Sequence, residues 1–137
     1  MGRSVLLAVM ATSVLAIGVM ANEKPTDAYV KSMKETNAAS QSLKKNVAAK
    51  NYEGIATDAA TLKTLFTGTE EFWTARKTDD AIAAAKAGVA AATDLETAAK
   101  AKNEAGVETA AKAVNATCKT CHDAHRERLP DGTSEIK

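Results

Sequence analysis

The chain has 137 residues, 18 Lys and Arg against 17 Asp and Glu, only 4% aromatic side chains and two cysteines. That length suits one domain. The near-neutral balance offers no basic footprint for nucleic acid, and two Pro with seven Gly exclude a collagen-like or Pro-rich disordered chain.

Residues 1–21 read as a secretory signal peptide. Met1-Gly2-Arg3-Ser4 is a short positive start, Val5 to Ile17 is uncharged and largely apolar, and Val19-Met20-Ala21 is a small-x-small cleavage site. Val5 to Ala21 is short for a membrane span, which needs ~20 apolar residues, so the spacing predicts cleavage after about Ala21 and no stable membrane insertion afterwards. No Cys follows the apolar stretch, so no lipid anchor is indicated. Residues 22–137 then form one domain with little net charge, rich in alanine and poor in large apolar side chains. Alanine alone does not fill a bundle interior to native density, which leaves space for something else.

Four helices follow in chain order. The first opens at Pro25-Thr26-Asp27, with Thr26 as N-cap, and its stripe runs Val30, Met33, Asn37, Ser40, Leu43, Val47. After a break at Lys50-Asn51, the second carries Ile55, Ala59, Leu62 and Phe66, and Thr67-Gly68-Thr69 ends its pattern. Glu70 to Lys77, with Phe72-Trp73, reads as a partly helical connector. Thr78 caps the third helix, with Asp79 and Asp80 favourable in its first turn. The third presents Ile82, Ala85, Val89, Ala92, Leu95 and Ala99 on one side. Lys100-Ala101-Lys102-Asn103 closes it and opens the fourth, whose face is Val107, Ala110, Val114, Cys118 and Cys121. Leu129-Pro130-Asp131-Gly132 stops that helix, and the last residues read as a loose tail. Short connections predict an all-α, antiparallel up-down-up-down four-helix bundle.

Cys118-Lys119-Thr120-Cys121-His122 is the C-x-x-C-H pattern of covalent haem attachment. On a helix, residues three apart lie ~60° apart around the axis, so both sulfurs can meet the two vinyl groups of one porphyrin edge. His122, next in sequence, is placed to ligate the iron as proximal ligand. Three competing readings fit less well. A thioredoxin-like pair expects a βαβ context. A zinc site wants four ligands, which only His125 could help complete. A disulfide here would staple one helical turn to itself.

The stretch Ala116-Thr117-Cys118-Lys119-Thr120-Cys121-His122-Asp123-Ala124-His125-Arg126 resembles the end of the class II cytochromes c, the cytochrome c prime family. Leu65-Phe66, Gly68-Thr69 and Glu71-Phe72-Trp73 resemble that family's second connection. The resemblance implies an exported, periplasmic four-helix bundle with one haem c and its iron near the C-terminus. His125 replaces the family's usual aromatic residue and is expected at the surface. Arg126 matches the family's Arg near the proximal pocket. Trp73 is expected as core packing.

The family has a five-coordinate subtype, bulky and apolar over the open face, and a low-spin subtype with a first-helix Met on iron. Ser32-Met33-Lys34 resembles the latter. Met33, the one Met beyond residue 21, is therefore expected as distal ligand opposite His122. Tyr29 stands where the family often has Arg, so a propionate partner is sought at Lys31 or Lys34. The function expected is non-enzymatic one-electron transfer to redox partner proteins of unknown identity, with a homodimer left open. Two alternatives are kept: a five-coordinate binder of nitric oxide or carbon monoxide, and a haem-free helical interaction module with a redox-active Cys pair.

Overall fold

Each helix start shows why the chain turns where it does. Thr26 accepts from the Tyr29 N–H at 3.3 Å, Asn51 from Gly54 at 3.2 Å and Asn103 from Gly106 at 3.1 Å. These are N-caps that satisfy otherwise orphaned first-turn donors. Thr78 holds the fourth cap position without a capping hydrogen bond, and Asp79 and Asp80 follow it in the first turn. The structure, a computed structural model, describes residues 22–137. The expected signal peptide and its cleavage site lie outside the described residues.

The helices are α1 (Asp27–Ala48), α2 (Tyr52–Arg76), α3 (Asp79–Lys100) and α4 (Glu104–His125). Three of them end on a left-handed lysine: Lys50, Lys77 and Lys102, with φ of 54°, 56° and 52°. At the first and third, the next residue closes the turn. The N–H of Asn51 donates to Asn46 and that of Asn103 to Ala98, each at 2.9 Å. This is the six-residue closure of a Schellman end. The same Asn then caps the following helix, so each reversal is completed within a few residues and the bundle runs up-down-up-down.

α1 packs on α2, α2 on α3 and α3 on α4, while α1 and α4 make no comparable seam. The main core joins Leu43 of α1, Ile55, Ala59, Leu62 and Phe66 of α2, Ala92, Leu95 and Ala99 of α3, and Val107, Ala110 and Val114 of α4. α3 buries mostly small residues, and Phe66 of α2 packs directly against its backbone at Gly88. A β-carbon on Gly88 would lie 2.7 Å from Phe66 Cδ1.

Three expectations are corrected. α2 does not end at Thr67-Gly68-Thr69 but runs on to Arg76, burying Thr69 and Trp73 on its inner face. The buried face of α1 is Thr36, Ala39 and Leu43, with Asn37 exposed. Thr36 tolerates burial because its hydroxyl donates to the Ser32 carbonyl at 2.8 Å. The C-terminal residues are not a loose tail. α4 stops at His125, ahead of Pro130, because the chain turns into an antiparallel pair, β1 (Arg126–Arg128) and β2 (Ser134–Ile136). Glu23 bridges to Ile136 through two 2.8 Å backbone hydrogen bonds and meets Arg76 at 2.6 Å.

Ile136 is thereby buried beside Trp73 and Ala81, with Tyr29, Phe72 and Ile82 around them. Tyr29 stacks on Phe72 at 3.8 Å between ring centres, and Trp73 meets both rings edge-on. Trp73 is 2% exposed, as core packing requires. His125 is not at the surface: its ring lies 4.9 Å from that of Trp73, and its Nε2 sits 2.9 Å from Asp80 Oδ2. Among the described residues no helix is long and apolar enough to cross a membrane.

Candidate functional site

The seam left open between α1 and α4 holds a cavity of about 300 Å³, at the lower end of the size of ligand pockets, ~300–1,000 Å³. The structure brings all four sequence-selected residues to it. Cys118, Cys121 and His122 line it from α4, and Met33 lines it from α1. Thr36, Asn37, Ser40, Gln41 and Lys44 continue the α1 wall, and Phe66 and Thr69 of α2 and Ala84 and Ala85 of α3 close the back.

α4 presents its three residues as the spacing requires. Cys118 and Cys121 are one turn apart on the helix, both half-buried and both unbridged, and His122 is the next residue. Burial pushes the Cys118 thiol up. It pushes the Cys121 thiol further, to about 11, helped by the negative charge of Asp80. Burial also holds the His122 imidazole below its ordinary value, and the Arg126 guanidinium adds to this. The thiols are therefore protonated at neutral pH, and the imidazole is in the neutral form that a metal requires. At one end of the cavity, burial and then Cys121 push the Tyr29 phenol up to about 12.

Arg126 lines the cavity, as expected of a cation beside the proximal residue. Lys31 and Lys34 do not. Both are exposed, and Lys31 pairs along its own helix with Glu35 at 3.9 Å. Lys44, which the sequence reading passed over, is the α1 lysine at the wall. Thr69 escapes the sequence pattern because α2 is expected to stop at Thr67-Gly68-Thr69, and Phe66, expected only as part of the helix stripe, also lines the wall. The signal was present in the steps of four and three that run Ile55, Ala59, Leu62, Phe66, Thr69, Trp73 through Gly68.

The residues fit a covalently held haem on observations of the chain itself. A bundle with three packed seams and one open seam has room for a flat group. Two thiols one turn apart face that room beside a neutral imidazole, and the Ser40 hydroxyl oxygen is buried there without a hydrogen-bond partner. A zinc reading lacks its ligands: among the described residues no three His, Cys, Asp or Glu side chains cluster to hold a metal ion. A second hollow, of about 360 Å³, lies where α1 meets α2. Its polar groups satisfy one another, with Asn46 donating to Asp58 at 2.7 Å and accepting from Asn51 at 2.9 Å.

Fold and site together define a haem-binding helical bundle of the c type. The family model for Cytochrome C' matches residues 2–126, and the chain belongs to that family. No curated protein and no solved structure matches it. Its cofactor is one covalently bound haem c with iron, and it is an electron-transport or gas-binding protein, not an enzyme.

The match overturns one expectation. The cytochrome C' architecture is five-coordinate, so the low-spin His122/Met33 electron carrier, with Met33 as sixth ligand, is withdrawn. Met33 is half-buried in the α1 wall, where its flexible, apolar side chain fills space.

Proposed function

We propose that the protein binds a small diatomic gas, nitric oxide or carbon monoxide, at a five-coordinate haem iron in the periplasm. When bound, the haem supplies an iron with one axial position free for such a ligand. The observation that carries the reading is the open α1–α4 seam with the C-x-x-C-H residues on one wall.

Each residue has a part. Cys118 and Cys121 would hold the porphyrin through thioether bonds at its two vinyl positions. His122 would ligate the iron from α4. Met33, Phe66 and Ala85 supply apolar wall to the cavity. Arg126 and Lys44 place positive charge at the wall, where porphyrin carboxylates would be stabilised. The segment 1–21 serves export to the compartment where such attachment occurs, which supports the periplasmic assignment.

The test is the reduced protein, matured with its haem, titrated with carbon monoxide. A high-spin ferrous spectrum that converts stoichiometrically to the carbonyl form is expected, and a Met33→Leu variant should keep the high-spin starting spectrum. A ferrous spectrum that is low-spin from the outset and unmoved by carbon monoxide would overturn the reading.

A further inference from the structure

Hydroxyl accounting singles out one residue of the cavity. Ten helical threonines donate to the carbonyl one turn earlier, at 2.8 to 3.2 Å. Three of them line the cavity: Thr36 donates to Ser32, Thr69 to Leu65 and Thr117 to Ala113. A hydroxyl has one proton to give, so none of these three has a donor left for anything in the cavity.

Ser40 differs. It lines the same cavity, one turn along α1 from Thr36, and its Oγ is shut off from solvent with no hydrogen-bond partner. Leaving a buried hydroxyl unpaired is costly, and serine adopts such a site at a cost that a partner would remove. Among the described residues, the two other unpartnered buried polar atoms, Trp73 Nε1 and Arg76 Nε, belong to the aromatic cluster and not to the cavity wall. Asn37 and Gln41 are exposed residues.

We infer that Ser40 is the hydrogen-bond donor to the diatomic ligand, from the α1 wall of the cavity that His122 lines from α4. This rests on the five-coordinate reading above. Ser40 is thus a specificity-determining residue. Its hydroxyl favours a ligand whose outer atom accepts a hydrogen bond and gives nothing to an apolar one. Other wall residues carry donors too, Tyr29, Lys44, Asn115 and Arg126 among them, and the Ser40 variants separate its hydroxyl from theirs.

The experiment compares the haem-loaded protein with its Ser40→Ala and Ser40→Thr variants as ferrous carbonyls. Infrared spectroscopy reads the C–O stretch, and flash photolysis or ligand exchange reads dissociation. A donor near the outer oxygen lowers the stretch, so Ser40→Ala should move the band to higher frequency. Dissociation should become roughly two- to tenfold faster, the worth of one neutral hydrogen bond. Ser40→Thr, which keeps the hydroxyl, should hold the band near its original place.

A band unmoved by Ser40→Ala overturns the proposal while leaving the gas-binding reading intact. So does a band moved equally by both variants, since shape and not the hydroxyl would then be responsible. Failure of the unaltered protein to form any carbonyl sinks the five-coordinate reading itself, and the role of Ser40 with it.

Discussion

Lys102 holds φ at 52°, a left-handed position that costs a β-carbon-bearing residue roughly 1–2 kcal/mol. Glycine removes that strain but adds freedom to the unfolded chain, worth ~0.4–1 kcal/mol. The balance favours glycine, so Lys102→Gly should raise the unfolding free energy of the holoprotein by up to about 1 kcal/mol, read as a higher urea midpoint. Lys50 is a poorer choice because its ammonium meets Glu104 at 2.6 Å. At the same scale, His125 marks the limit of reading residues one at a time. An imidazole three residues past the haem motif looks like surface chemistry. Its burial is decided by Trp73 on α2 and Asp80 on α3, neither of which is a sequence neighbour. The C-x-x-C-H motif was legible for the opposite reason: its five residues lie within two turns of one helix and need no distant partner to be understood.

Helix faces were legible where one apolar period ran unbroken, as on α3 and α4 and the first half of α2. They failed on α1, because the cavity takes part of that face: Met33, Thr36, Asn37 and Ser40 turn to it while Ala39 and Leu43 go to the core. The hairpin gave no signal at all. Arg126-Glu127-Arg128 is charged throughout, and Ile136 is the one buried residue of the pair. Ile136 nonetheless fastens the C-terminus against Trp73, so Ile136→Ala should cost ~2–4 kcal/mol in denaturant unfolding. A change below 0.5 kcal/mol would show that the hairpin is not coupled to the bundle. Where α2 crosses α3, Gly88→Ala sets a helix-propensity gain of ~1 kcal/mol against overpacking of ~1–3 kcal/mol on the Phe66 ring. Packing should win, with a net loss of stability. The displaced ring would also crowd the cavity it lines, which slower carbon monoxide binding would register.

At the scale of the whole molecule, three seams are closed by side chains and the fourth, between α1 and α4, holds the cavity proposed for the haem. A Cys118→Ala/Cys121→Ala protein without haem should keep its helical far-ultraviolet signal yet unfold with poor thermal cooperativity. A sharp, high-temperature transition would contradict this. The same protein should be acid-sensitive. His122 has a folded pKa held below its ordinary value of ~6.5, so the unfolded chain binds the proton more readily. Its contribution is present above about pH 6.5 and is lost as the pH falls towards the lowered folded value. Urea midpoints measured from pH 8 to 5.5 should decline, and His122→Gln should flatten the decline. The proposal that joins these effects is the attachment of one haem between α1 and α4. It is tested most directly by mass spectrometry of the intact matured protein followed by its proteolytic peptides. The account predicts the added mass of one haem, carried on the peptide that contains Cys118 and Cys121 and absent when both are alanine. An intact chain without that mass, or a haem carried on any other peptide, would contradict it.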